Sequence, residues 1–158
     1  MGFKHVIPHL VERFIKIKEN PFKIYGYDQT RAFCYLDDEA KGTVMAMENK
    51  NTNQEIFHIG SENEISIENL VKTVGDLLDY RGDYSLAETY PGSVSRRCPN
   101  IKKSMEYFNF SPNVSLLDGL KKTIDWYKNF FDNNFKIISG GFKAPDELNF
   151  KSRYDESL

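Results

Sequence analysis

Cysteine is almost missing from this sequence, with only Cys34 and Cys98 in 158 residues. Two thiols cannot build a disulfide framework, so a reduced cytoplasmic setting is the simpler expectation. No apolar run approaches the roughly 18 residues that a membrane span needs. The residues after Met1, Gly2-Phe3-Lys4-His5, do not read as a secretory signal. Excess charge of one sign is also lacking, because 21 Lys and Arg face 23 Asp and Glu for a net charge of −2. Binding to duplex nucleic acid by bulk charge is therefore disfavoured. A local anion site is still open, since it needs only one or two arginines. What is present is apolar material, 40% hydrophobic and 14% aromatic, enough to bury a core and to exclude a wholly disordered chain. The length suits one domain or one lobe of a larger protein.

Several catalytic patterns are absent. No glycine is followed by another three residues on, so the glycine loops that cradle dinucleotide phosphates are missing. None of the nine tyrosines has a lysine four residues later. Such a Tyr-x-x-x-Lys pair lets the lysine tune tyrosine as an acid or base near neutral pH. There is no Gly-x-Ser-x-Gly and no Cys-x-x-Cys. His5 and His9 can share a helix face, but no third ligand is signalled, so both are read as surface or structural residues and no metal site is expected.

The hydrophobic pattern alternates helices with short strands. Val6, Leu10, Phe14 and Ile17 predict a helix over 5–18, ended by Asn20-Pro21. Strands are expected at 22–25, 32–36, 55–59 and 84–88, with a turn at 26–29. Asp37-Asp38 is read as the cap of a helix running to about Asn49, rather than as a carboxylate pair for acid–base work. Ala40, Val44 and Met47 share a face of that helix. Ser66 and Ser115 are expected to cap the two longest periodic helices, and 101–108 is a short one. The pattern fades beyond Asn134. This sets an expected boundary between a folded part, 1–134, and a polar mobile tail, 135–158, with Gly140-Gly141 and Pro145.

The most specific stretch is Tyr25-Gly26-Tyr27-Asp28-Gln29-Thr30-Arg31-Ala32-Phe33-Cys34-Tyr35-Leu36-Asp37-Asp38. It reads as strand, turn, arginine, strand and helix. An arginine at such a turn can present a planar fork to a phosphate. Arg96-Arg97, following Pro91-Gly92, can supply a second cation, and two convergent arginines suit a diphosphate. Taken alone, both sites read first as solvated surface arginines. The aromatics Phe33 and Tyr35 read first as core.

Six blocks in order resemble the C-terminal half of the extended short-chain dehydrogenases that act on nucleotide sugars, the NAD-dependent epimerase/dehydratase family. They are His5-Val6-Ile7-Pro8, Phe22-Lys23-Ile24-Tyr25-Gly26, Gln29-Thr30-Arg31-Ala32-Phe33-Cys34-Tyr35-Leu36-Asp37-Asp38, Phe57-His58-Ile59-Gly60, Arg96-Arg97-Cys98-Pro99-Asn100-Ile101, and the helix from Ser115 through Tyr127. His58 and Asn100 depart from the family's asparagine and aspartate. Tyr90 stands where many members have an arginine before Pro-Gly. The resemblance covers about residues 1–131.

The resemblance implies an α/β fold: the C-terminal substrate-binding lobe of an extended Rossmann-type epimerase/dehydratase, with the N-terminal Rossmann half absent and Met1 at an internal family position. It implies that Arg31 contacts the sugar-nucleotide diphosphate, with Arg97 or its neighbour Arg96 as the second phosphate arginine. Backbone groups of Lys23 and Tyr25 would read the base edge. Val6 would bring its amide near a phosphate, with Ile7 packed close by. The family reaction oxidises a sugar carbon and reduces it again with one NAD. No cofactor site and no catalytic residue are expected in this chain. The expected partners are a nucleotide-diphosphate sugar and either a separate Rossmann half or a second copy. The alternative is a non-catalytic module for nucleotide sugars or a partner protein.

Overall fold

The computed structural model describes residues 5–89 and 91–139, the last seven as backbone only. The chain divides into two units. One comprises the N-terminal residues to Lys18 with the chain from Lys122 onward, and the other spans Glu19–Lys121.

In the first unit α1, Val6–Glu12, continues as a π-helical turn, Arg13–Ile17, which ends on Lys18 in the left-handed region. Leu10, Val11 and Phe14 are buried as their spacing predicts. So are Ile124, Tyr127 and Phe131 of the long helix α5, Leu116–Ser139. Lys16 lays its ammonium 4.9 Å from the centre of the Phe131 ring, a cation–π contact that also lets its alkyl stem cover apolar surface. The expected boundary at 134 falls inside α5, which continues to Ser139. The rest of the expected tail, 140–158, lies outside the described residues.

The second unit holds two small sheets. In one, β1, Phe22–Tyr25, runs parallel to β4, Tyr84–Ala87. In the other, β2, Thr30–Ala32, lies between β3, Glu64–Ser66, and β5, Arg96–Arg97, antiparallel to the first and parallel to the second. Three helices belong to this unit: α2, Leu36–Glu48, α3, Ile67–Leu77, and α4, Lys102–Phe108. The alternation in β1 buries Phe22 and Ile24 completely, consistent with a strand that has one apolar face. α3 buries Leu70, Val71 and Val74, and the Ser66 hydroxyl accepts from the Asn69 amide at its start, as expected of a cap. Ser115 caps α5 in the same way, accepting from the Asp118 amide while donating to its carboxylate. A second apolar cluster joins Ile101, Phe108 and Phe110 to Met45, Ala46, Phe57 and Ile59.

Three local expectations are corrected. The strand expected at 32–36 is Thr30–Ala32 instead. Its neighbours β3 and β5 are only three and two residues long, so the ladder has nothing to pair beyond Ala32. The segment 55–59 forms no ladder among the described residues. Its alternation is real, with Phe57 and Ile59 on the core cluster and Ile56 83% exposed, but a strand also needs a neighbour for its backbone groups. The third correction concerns Asp37-Asp38. Tyr35 occupies the N-cap of α2 without a side-chain bond. Asp38 is buried, and its Oδ2 accepts from the amides of Asn113 and Val114 at 2.9 and 2.8 Å.

Asp38 therefore ties α2 to the loop before α5. Asp38→Ala should cost about 1–3 kcal/mol, because it removes two charge-assisted bonds to part-buried amides. Asp37→Ala, at an exposed position in the same turn, should stay within about 0.5 kcal/mol. Urea unfolding of the two variants checks this, and equal losses would refute the distinction.

Candidate functional site

Alternation along β2 sorts the charged residues onto two faces, since successive side chains in a strand point to opposite sides. Register pairs Thr30 with Arg96 and Ser66, Arg31 with Arg97 and Ile65, and Ala32 with Glu64. Thr30, Glu64 and Arg96 thus share one face. Arg31 and Arg97 share the other.

On the first face Arg96 is already spent. Its Nε and Nη2 both donate to the Glu64 carboxylate, at 2.5–3.1 Å, and the Thr30 hydroxyl donates to the same carboxylate at 2.8 Å. The bond from Arg96, then that from Thr30, holds the Glu64 carboxyl below the usual glutamate range. Arg97, one residue on, is exposed, and no hydrogen bond or ion pair among the described residues engages its guanidinium. Of the two adjacent arginines, Arg97 is the one beside Arg31.

On the second face Arg31 is held by protein oxygens. Nη1 donates to the carbonyls of Thr30, at 2.7 Å, and Ser95, at 3.3 Å. Nη2 donates to Gln29 Oε1 at 2.9 Å and to the Val94 carbonyl at 2.6 Å. Gln29 is buried, and its Nε2 donates to the Ser93 hydroxyl at 2.9 Å. Gly26 makes room for it. Its φ of +63° suits glycine, and a Cβ there would lie 2.9 Å from Gln29 Cδ. The sequence places Gln29 in the matching stretch but gives it no role. Its signal was its position two residues before Arg31, on the same face of the chain.

The other expected site residues lie elsewhere. Phe22 and Gly26 donate their amides to carbonyls of Asp83 and Ala87, so the period of two turns the backbone groups of Lys23 and Tyr25 away from β4. The Lys23 amide meets Glu19 Oε1 at 3.1 Å. Val6 opens α1, 40% exposed, so its amide is among those without an intrahelical acceptor. Ile7 beside it is half-buried. Both belong to the first unit, whereas Lys23, Tyr25 and the arginines belong to the second. Burial pushes the Cys34 thiol up, with Asp38 and Glu39 adding to it, and the Cys98 thiol is raised too. Neither is an activated thiolate near neutral pH. Among the described residues no cluster of three metal-ligating side chains occurs, and no helix is long and apolar enough to cross a membrane.

Residues 3–60 match the model of the NAD dependent epimerase/dehydratase family. This chain belongs to that family. It is 34% identical to a UDP-N-acetyl-alpha-D-glucosaminuronate decarboxylase of Bacillus cytotoxicus, over 75% of this chain and 40% of that protein. It is 32% identical to a UDP-glucuronate 4-epimerase of Thermodesulfobacterium geofontis, over 73% and 36% respectively. The fold matches the crystal structure of a UDP-glucuronic acid 4-epimerase from Bacillus cereus, in complex with UDP-glucuronic acid and NAD. The TM-score is 0.73 at 28% identity, covering 82% of this chain and 41% of that one. The chain thus corresponds to a C-terminal portion of this family and spans about 40% of the length of such relatives.

Among the described residues the glycine turn that seats a dinucleotide pyrophosphate does not occur. A dinucleotide pyrophosphate sits where a glycine turn leads from a strand into a helix N-terminus. Here no strand-to-helix connection among the described residues carries a glycine. β3 passes directly into α3 at Ser66, whose own hydroxyl caps the helix. The left-handed glycines Gly26 and Gly92 lead into β2 and β5 instead.

The Arg96–Glu64 pair carries a pH signature. A carboxyl held below its unfolded value adds stability above that value and loses it as pH falls through the folded one. Wild-type stability should drop on acidification below about pH 4.3, the ordinary glutamate range. Glu64→Gln should drop less over the same window. Parallel curves in urea titrations at several pH values would show that the pair is not coupled to folding.

Proposed function

We propose that this chain binds the nucleotide diphosphate of a sugar substrate and serves as the substrate-binding portion of an NAD-dependent epimerase/dehydratase. The observation that carries this reading is the register of Arg31 with Arg97. It sets the two arginines at paired positions on one face of a sheet, within the stretches that resemble the family. Two planar forks suit a diphosphate, whose anionic oxygens accept charge-assisted, paired hydrogen bonds. Base recognition is assigned to the backbone groups of Lys23 and Tyr25, where a base would take the place of Glu19 on the Lys23 amide. Arg96, neutralised by Glu64, is left out of the clamp.

Oxidation and reduction of the sugar belong, in this reading, to residues that the relatives have beyond the matched 40%, together with NAD. The chain by itself is not catalytic. An exposed apolar stripe along α2 supports a covering partner: Leu36 is 57% exposed, Val44 51% and Met47 80%, with Ile56 on the neighbouring segment. Contiguous apolar surface of this kind marks an interaction face. A Rossmann half fits it, whether on this polypeptide or another, and self-association is the rival occupant. The cytoplasm, where Cys34 and Cys98 stay reduced, is the proposed compartment. The same stripe is what favours a second reading, a non-catalytic module that recruits a protein.

Calorimetric titration with a UDP-sugar, a TDP-sugar and NAD tests this. A nucleotide sugar should bind saturably, and NAD should not. Each charge-assisted bond to phosphate contributes roughly 1.5–3 kcal/mol. Arg31→Ala and Arg97→Ala should therefore each weaken the nucleotide sugar by about tenfold or more, with Arg31→Lys only partly restoring it. Arg96→Ala should change affinity little. Equal affinities in wild type, Arg31→Ala and Arg97→Ala would end the phosphate-clamp assignment.

A further inference from the structure

We propose that Gln29 is the positioning residue for Arg31. Its side-chain amide fixes the guanidinium and fastens the turn at 93–95 over it as a strap. An incoming anion then meets an arginine whose orientation Gln29 has set, and displaces the carbonyls of Val94 and Ser95. The inference rests on the reading of Arg31 as a phosphate arginine.

A guanidinium has four terminal N–H groups and no acceptor. Those of Arg31 donate to Thr30 O, Ser95 O, Val94 O and Gln29 Oε1. Because arginine only donates, the oxygen of the Gln29 amide must face it, and the nitrogen must face away. That nitrogen meets the Ser93 hydroxyl. One neutral amide thus grips the arginine with its oxygen and meets the strap at the Ser93 hydroxyl, which lies 2.9 Å from its nitrogen and 3.2 Å from its oxygen, and it does so without adding a charge.

The strap itself is lightly held. Pro91, Gly92, Val94 and Ser95 are exposed, and Gly92 turns the chain at φ +86° with nothing near its missing Cβ. Among the described residues its bonds to the rest of the unit include those to Gln29, Thr30 and Arg31: the Ser93 hydroxyl to Gln29, the Ser95 carbonyl from the Thr30 amide at 2.9 Å, and the two arginine bonds. Gln29 is the buried member, walled by Gly26. Phosphate oxygens are stronger acceptors for a guanidinium than amide carbonyls are. An exchange of Val94 and Ser95 for a diphosphate is therefore downhill at Arg31, while Gln29 keeps its hold and the plane of the fork is retained. A carboxylate at position 29 would keep the grip on Arg31 and could accept from the Ser93 hydroxyl, but it would cancel the arginine's charge.

The test uses the full chain and two readouts. Nitrogen-edited NMR follows exchange of the Arg31 guanidinium protons without ligand, and calorimetry follows UDP binding. Arg31→Ala assigns the signals. Slow exchange is expected in wild type and in Gln29→Glu, and fast exchange in Gln29→Met. Gln29→Glu should also bind UDP about tenfold more weakly, with loss of the salt dependence due to one cation. If Gln29→Met does not fold, Ser93→Ala cuts the same clasp from the exposed side and should also speed exchange. Exchange as slow as wild type in Gln29→Met, or in Ser93→Ala where Gln29→Met does not fold, or wild-type UDP affinity in Gln29→Glu, overturns the proposal. Slow wild-type exchange lost in Gln29→Met, with no binding of UDP, TDP or GDP by wild type, upholds the positioning role and retires the nucleotide reading alone.

Discussion

The pairing of β2 on both edges is the constraint on which the candidate site depends. Three residues, Thr30 to Ala32, take β3 on one side and β5 on the other. A strand this short contributes few ladder bonds, so its alignment is reinforced by side chains. Glu64 reaches from β3 to Thr30 and Arg96, and so bridges all three strands on one face. Arg31 reaches into the turn before β5 on the other. A slip of one residue would exchange the two faces, because the period of a strand is two.

That arrangement divides the cations by environment rather than by sequence position. Arg96 and Arg97 are neighbours, yet one is neutralised by a carboxylate and the other stands exposed beside Arg31. Exposed ion pairs contribute little to stability in themselves. The value of the Arg96–Glu64 pair lies in orientation, since it commits Arg96 to one face and leaves Arg97 to the other. Asp38 works similarly at a distance along the chain. It is buried on α2 but bonded to the amides at 113–114, so the start of α5 is tied to the helix that follows β2.

Much of the fold was legible in local pattern. Helices with a repeat near 3.6, caps at Ser66 and Ser115, and the buried alternation of β1 follow from residue order and elementary sterics. The resemblance across six blocks pointed to the family, and the comparisons place the chain in it. The errors share one cause. The segment 55–59 and residues 33–36 have the alternation of strands, but alternation records which side chains are buried and not whether another strand lies alongside. The role of Asp38 is hidden for a related reason: the amides that donate to its carboxylate lie about 75 positions away.

By itself the sequence determined the class of fold, the positions of its helices, and the stretch around Arg31 in which a site is sought. Those properties rest on short-range periodicity and on residue types. Only the tertiary structure decided that Arg97 and not Arg96 accompanies Arg31, that Gln29 is the buried amide behind it, and that the oxygens now holding Arg31 come from the turn at 94–95. Each of these depends on strand register, and register joins segments more than sixty residues apart through backbone bonds that carry no signature in the residues they connect.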